Sequence, residues 1–193
     1  MATIGLLFGS FNPIHTGHLI IAEYFAAHGV CDRVELIVSP QNPLKNIKDL
    51  AGEKHRLAMA RLAVRGNPLI KVNDIEFSLP LPSYTYHTLT QLSTQNPQHN
   101  YKLIIGSDNF ARFHQWKHWE SILAEYQLLC YRRPGYPESE LEMHPHVKMI
   151  DNVPMIHISA TYIRTCISKG RSIRYLVPDS VTRYVEKEGL YRS

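Results

Sequence analysis

The chain has 193 residues, of which 44% are hydrophobic, and its formal net charge is +4 at pH 7 with the 11 histidines neutral. This composition can build the core of one α/β domain spanning residues 1–193, and no second domain is required. The charge is small and dispersed, and the chain has neither a recognisable signal peptide nor an apolar stretch of bilayer length. We therefore expect no nucleic acid and no membrane as partners.

Cysteine usage indicates the redox compartment. Cys31, Cys130 and Cys166 share no metal-binding or redox spacing, and their number is odd. Such a pattern favours reduced thiols, and we expect a cytoplasmic protein. The sequence leaves open whether the protein forms a homo-oligomer.

Short apolar strands alternate with helical patterns along the chain. The predicted strands lie near residues 3–9, 34–38, 69–73, 102–106 and 127–131, and the predicted helices near 17–28, 52–65, 84–95 and 119–125. This order is typical of βαβ units. We predict an α/β, Rossmann-like, doubly wound parallel sheet with a small C-terminal helical portion. Ligands should bind at the carboxyl ends of its strands.

The turn after the first predicted strand carries two histidines. Thr16 is the expected cap of the following helix, so His15 lies just outside that helix and His18 lies in its first turn. Free backbone N–H groups and the helix dipole attract an anion there, and an imidazole N–H can donate to a phosphate oxygen. Gly9 would let the backbone approach that anion closely. The turn therefore predicts a phosphate site.

Two other interpretations of this turn exist. The histidines could be ordinary surface residues beside a tight turn. They are three positions apart and could also share a helical face as zinc ligands, although no suitable third ligand is near in sequence.

Candidate polar residues follow the later strands. Lys45 lies in a proline-bearing loop after the second strand and is a mobile cation, or simply a solvated lysine. Asp108 follows Gly106 at the end of the fourth strand, where it could accept a ribose hydroxyl or cap a short helix. Arg133 follows the fifth strand, where an arginine is often only solvated.

Two further helix starts could bind anions. Ser83 is the expected cap of the helix near 84–95 and Thr85 lies in its first turn, although a capped helix with aromatic packing explains the same pattern. Ser159 can cap a later helix in which Thr161 and Arg164 share one face. A hydroxyl, free amides and a guanidinium would converge there on a phosphate, unless this is a plain capped helix.

These motifs carry a resemblance to a known family. Residues 8–13 (Phe-Gly-Ser-Phe-Asn-Pro) and 15–18 (His-Thr-Gly-His) resemble the signature of the nucleotidyltransferase superfamily, which binds ATP or CTP phosphates at such a turn. Within it, the chain is similar to bacterial nicotinate-nucleotide adenylyltransferases over nearly its whole length. That family usually has Gly, Thr and Asp where this chain has Phe8, Ser10 and Asn12. The last departure removes a negative charge.

The resemblance implies adenylyl transfer from ATP, with its Mg²⁺, to nicotinate mononucleotide. The residues it implicates are His15, His18, Lys45 and Arg164 for charge neutralisation, Gly9, Ser10, Phe11, Gly106, Asp108, Arg133, Ser159 and Thr161 for ATP, and Tyr84, Thr85 and Trp116 for the mononucleotide. Trp116 would stack on the pyridine ring, with Trp119 as the competing aromatic. Nicotinamide mononucleotide or phosphopantetheine as acceptor, and a non-catalytic nucleotide sensor, remain as alternatives.

Overall fold

A computed structural model describes residues 1–40 and 50–192 of the chain. Within them the strands are β1 (Thr3–Gly9), β2 (Arg33–Val38), β3 (Ile70–Asn73), β4 (Asn100–Gly106), β5 (Gln127–Tyr131) and β6 (Val147–Ile150). The α-helices are α1 (Thr16–Ala27), α2 (Glu53–Ala63), α3 (Thr85–Gln95), α4 (Ser107–Phe110), α5 (Trp119–Glu125), α6 (Ala160–Ser168) and α7 (Asp179–Lys187).

The strands form one parallel sheet in the order β3-β2-β1-β4-β5-β6. The chain winds outward from β1 to β3, then crosses back to place β4 on the other side of β1. The carboxyl ends of β1 and β4 thus flank a topological switch point, where open α/β sheets bind ligands. The predicted doubly wound α/β fold is confirmed.

Hydrophobic residues cover both faces of this sheet. Alternation along β1 sends Leu7 to one core cluster, and Ile4 and Leu6 to the other. The first cluster contains buried residues of α1, α2, α6 and α7, and the second contains buried residues of α3, α4 and α5. This two-sided burial explains why the strands are nearly continuous apolar runs.

The bounds of the predicted elements are nearly right, with two omissions. The strands 3–9 and 127–131 are found at those bounds, and the other predicted strands shift by one or two residues. The sequence prediction lacks β6, an edge strand of only four residues. It also lacks specific bounds for α7, which belongs to the expected C-terminal helical portion.

Two predicted helix caps are wrong. His15 rather than Thr16 is the N-cap of α1, because the Thr16 hydroxyl donates to the Tyr175 carbonyl 3.0 Å away. Tyr84 rather than Ser83 is the N-cap of α3, because the Ser83 hydroxyl donates to the buried carboxylate of Glu76. Ser159 caps α6 as predicted, accepting a hydrogen bond from the Tyr162 backbone N–H.

Across residues 1–40 and 50–192, no helix has both the length and the apolar character needed to cross a bilayer.

Cys31, Cys130 and Cys166 are buried free thiols. Burial raises the pKa of Cys31 to about 11 and that of Cys130 to about 12, so both remain protonated at neutral pH.

Candidate active site

A cavity of about 620 Å³ opens at the carboxyl ends of β1, β4 and β5. One wall is the turn between β1 and α1, and the facing wall is the segment that leads into α6. The sequence-predicted residues that line it are Gly9, Ser10, Phe11, His15, His18, Gly106, Asp108, Trp116, Arg133, Ser159, Thr161 and Arg164. Residues from four separate stretches of the chain thus converge on one space large enough for a small-molecule ligand.

The turn after β1 is built around a buried aromatic ring. Phe11 has a φ of 44°, in the left-handed region, and is only 1% exposed. A Cβ at Gly9 would lie 2.9 Å from the Phe11 ring. Glycine is therefore needed at position 9 to accommodate Phe11, a packing reason beyond the close approach of an anion.

The two histidines of the turn are stacked on each other. Their ring centroids are 3.7 Å apart with planes 22° from parallel, and the Phe11 ring meets His18 edge-on at 5.1 Å. The backbone N–H of His15 donates to Nδ1 of His18 across 3.3 Å. Because Nδ1 accepts, the proton of a neutral His18 ring lies on Nε2. His18 is thus held as a directed N–H donor.

His15 is almost fully buried, with 7% exposure. Burial, reinforced by the positive charge of Arg133 and partly offset by a backbone hydrogen bond, lowers the pKa of His15 to about 4. Its Nδ1 is buried and has no hydrogen-bond partner among residues 1–40 and 50–192. The ring is therefore neutral at pH 7 in the ligand-free protein, and the role of His15 at the phosphates stays a prediction.

Arg164 reaches from α6 to the opposite wall. Its Nη1 donates to the backbone carbonyl of Asn12 across 3.0 Å, and its Nη2 lies 3.4 Å from the Thr161 hydroxyl. The predicted meeting of Thr161 and Arg164 on one helical face is confirmed. The Arg164 guanidinium thus spans from α6 to the turn that carries the two histidines.

Asp108 and Arg133 form an ion pair at the base of the cavity. Nη1 of Arg133 donates to Oδ2 of Asp108 across 2.8 Å, while Oδ1 of Asp108 is buried and has no hydrogen-bond partner in the part of the chain that the structure describes. Gly106 is the N-cap of α4, so Asp108 does not cap that helix. A Cβ at Gly106 would lie 2.5 Å from Oδ1 of Asp108, which explains the glycine.

Two predicted site residues lie outside the cavity lining, and a third is not among the described residues. Tyr84 and Thr85 do not belong to the cavity lining found among the described residues, although the adjacent Trp116 does. The ammonium of Lys117 lies 4.5 Å above the Tyr84 ring, so the start of α3 is next to the segment that carries Trp116. Lys45 lies outside the described residues, and its role stays a prediction.

Sequence reasoning missed Arg56, which is 1% exposed. Its guanidinium donates to the carbonyls of Ser10, Ser39, Pro40 and Ala51 over 2.6 to 2.9 Å. It therefore ties the turn after β1 to the segments that follow β2 and precede α2. No sequence signal reveals this, because the partners are backbone carbonyls of distant loops.

The resemblance to nucleotidyltransferases implies a divalent metal ion, which that family generally uses. Among the described residues there is no group of three or more His, Cys, Asp or Glu side chains suited to hold one. Asp108 is the acidic side chain in the described cavity lining, and the other polar groups are mostly N–H donors suited to phosphate oxygens. This donor set fits a metal ion that arrives bound to a triphosphate.

Comparison with known proteins decides the family. The cytidylyltransferase-like family model matches residues 6–166 of the chain. A curated relative from Cytophaga hutchinsonii, named probable nicotinate-nucleotide adenylyltransferase, is 47% identical, covering 97% of this chain and 97% of its own. The chain belongs to the nicotinate-nucleotide adenylyltransferases of the cytidylyltransferase-like family.

Other members of the family agree with this assignment. A relative from Flavobacterium johnsoniae with the same printed name is 42% identical, with 98% of each chain covered. A solved nicotinic acid mononucleotide adenylyltransferase of Plasmodium falciparum, complexed with APC, superposes with a TM-score of 0.83 at 19% identity, covering 99% of this chain and 98% of that one. The low identity makes the second likeness evidence for the nucleotidyltransferase fold alone.

Proposed function

We propose that this protein transfers the adenylyl group of ATP to nicotinate mononucleotide, producing nicotinate adenine dinucleotide (deamido-NAD) and pyrophosphate in NAD biosynthesis, in the cytoplasm. The observation that carries the proposal is the similarity to nicotinate-nucleotide adenylyltransferases along nearly the whole chain, 47% identical over 97% of it. The cavity at the sheet switch point supports it, because it combines N–H donors, guanidinium groups and an aromatic ring.

The chemistry requires no protein nucleophile. An oxygen of the mononucleotide 5′-phosphate attacks the α-phosphorus of ATP, and a new P–O bond forms there. The bond from that phosphorus to the oxygen bridging to the β-phosphate breaks, and pyrophosphate leaves with that oxygen. The attacking phosphate is already ionised, so positioning and charge stabilisation supply the catalysis. Mg²⁺ held by the ATP phosphates would neutralise part of their charge.

The histidine turn binds the phosphates of ATP by directed donation. His18 offers the Nε2 proton that its Nδ1 hydrogen bond selects. His15 acts as a neutral ring, because burial lowers its pKa to about 4 before an anion arrives. Gly9, Ser10 and Phe11 shape the turn whose backbone faces the same anion.

The opposite wall supplies positive charge. Arg164, together with Thr161 and the N-terminus of α6 capped by Ser159, binds the departing pyrophosphate in this proposal. Lys45 is assigned to the same triphosphate from the resemblance. The histidine turn and Arg164 then form two sides of one phosphate clamp.

The remaining residues are assigned to the nucleosides. The carboxylate of Asp108, whose side chain is partly exposed, accepts a ribose hydroxyl beside Gly106, and Arg133 lies near the adenine. Trp116 stacks on the nicotinate ring, and the start of α3 at Tyr84 and Thr85 recognises the mononucleotide.

The test is a measurement of both products. Incubation of the protein with Mg²⁺, ATP and nicotinate mononucleotide should yield deamido-NAD and pyrophosphate in equal amounts by chromatography and a coupled phosphate assay. Binding of ATP without release of pyrophosphate would overturn the proposal and favour a nucleotide sensor.

A further inference from the structure

The hydroxyl of Tyr191 contacts the turn that carries the two histidines, although it lies 179 positions away in sequence. It donates a 2.8 Å hydrogen bond to Oδ1 of Asn12. The ring packs against the core cluster that contains α1, α6 and α7. A residue late in the chain thus touches the centre of the phosphate-binding turn.

Asn12 joins this hydroxyl to two other parts of the site. It is 5% exposed, and its Oδ1 also accepts the backbone N–H of Ala51 across 3.1 Å. Its backbone carbonyl accepts Nη1 of Arg164 across 3.0 Å. The two donors at Oδ1 fix the orientation of the Asn12 amide, and the same residue determines where the Arg164 guanidinium is anchored.

The pKa of Tyr191 also reflects its position beside Arg164 and Arg56. Burial raises the pKa of Tyr191, while the charges of Arg164 and Arg56 act in the opposite direction. Both guanidinium groups are therefore close enough to influence it. The hydroxyl stays protonated at neutral pH and remains a donor to Asn12.

Residues 175 and 176, which also lie late in the chain, contact the start of α1. The backbone N–H of Thr16 donates to the carbonyl of Leu176 across 2.9 Å, and its hydroxyl donates to the carbonyl of Tyr175. The turn between β1 and α1 is thus fixed from one side by residues 175–176 and from the other by Tyr191. A displacement of this turn would move His15 and His18 relative to the phosphates.

From these contacts we propose that Tyr191 is a positioning residue for adenylyl transfer. Its hydroxyl holds Asn12, and through Asn12 it fixes the histidine turn and the Arg164 guanidinium in the geometry that binds ATP. The proposal rests on the proposed function for its kinetic part only, because its effect on nucleotide binding can be measured separately. Loss of the Tyr191 hydroxyl should weaken the binding of ATP and leave the KM for nicotinate mononucleotide unchanged.

Tyr184 provides a matched control in the same part of the chain. It lies in α7, and its hydroxyl is hydrogen bonded to Nδ1 of His55 at 3.0 Å, away from Asn12. Tyr191→Phe and Tyr184→Phe each remove one hydroxyl and its hydrogen bond while keeping the ring. Any general effect of losing such a bond should appear in both variants.

The experiment compares the wild type with both variants in two assays. Calorimetric titration with α,β-methylene ATP, which cannot release pyrophosphate, measures nucleotide affinity, and steady-state kinetics with ATP and nicotinate mononucleotide separate kcat from each KM. We expect Tyr191→Phe to lower analogue affinity and kcat/KM for ATP about fivefold each, the value of one hydrogen bond. Its KM for the mononucleotide and all constants of Tyr184→Phe should match the wild type.

Two results would overturn the proposal. One is wild-type analogue affinity in Tyr191→Phe, and the other is equal impairment of both variants, which would indicate a general structural effect. If the wild type binds the analogue but shows no turnover with nicotinate mononucleotide, the proposed function fails. The affinities still decide the role of Tyr191 in that case.

Discussion

The buried, neutral state of His15 predicts how the stability of the fold depends on pH. Its pKa is lowered from 6.5 to about 4, chiefly by burial. The folded state therefore binds a proton less readily than the unfolded chain. Protonation therefore favours the unfolded chain. The free energy of unfolding is nearly unaffected by His15 above pH 6.5 and decreases as the pH falls toward 4.

The magnitude follows from the two pKa values. At pH 4.5 an unfolded histidine is almost fully protonated while His15 is mostly neutral, and this costs about 2.5 kcal/mol of folding free energy. At pH 7 the same cost is only about 0.2 kcal/mol. Between pH 7 and 4.5, the free energy of unfolding of the wild type should thus fall by about 2 kcal/mol more than that of a variant without the ionisable ring.

Urea unfolding of the wild type and His15→Gln at these two pH values measures this difference. The comparison uses the change within each protein, so a general destabilisation by the substitution cancels. His114→Gln, which removes an exposed histidine, is the control. An equal loss of stability in the wild type and His15→Gln would refute the reasoning that burial keeps His15 neutral.

Three further predictions concern the cavity and the loops that support it. His18→Ala should lower kcat by far more than it raises the KM for nicotinate mononucleotide, and steady-state kinetics with near wild-type kcat would contradict the role of its Nε2 proton. Arg164→Lys keeps the positive charge but loses the paired N–H donors of the guanidinium group, so kcat/KM for ATP should fall about tenfold or more. An unchanged kcat/KM would show that Arg164 is not part of the phosphate clamp. Arg56→Met leaves four carbonyls without their charged donor, so unfolding free energy should fall by about 3–5 kcal/mol. A melting temperature equal to that of the wild type would contradict that expectation.

The local features of the site could be predicted from the sequence. An apolar run followed by glycine and a turn locates β1 and the positions of His15 and His18, because strand periodicity and helix-start chemistry act over a few residues. The same reasoning locates Ser159, Thr161 and Arg164 at the start of α6. These are short-range patterns, and the structure brings them to one cavity.

What the sequence could not reveal depends on contacts between distant parts of the chain. Arg56 binds loop carbonyls, and the partner of Tyr191 is 179 residues away. The Thr16 and Ser83 hydroxyls have the right chemistry for caps, but tertiary partners engage them instead. The low pKa of His15 likewise depends on burial that no local pattern encodes. The single domain spanning residues 1–193 stays a prediction.

The most direct test of the account compares acceptors side by side. With ATP and Mg²⁺ held constant, pyrophosphate release is measured with nicotinate mononucleotide, nicotinamide mononucleotide and phosphopantetheine, and kcat/KM is obtained for each. Nicotinate mononucleotide should have the highest kcat/KM of the three. A higher value for the amide or for phosphopantetheine, or no release with any acceptor, would contradict it.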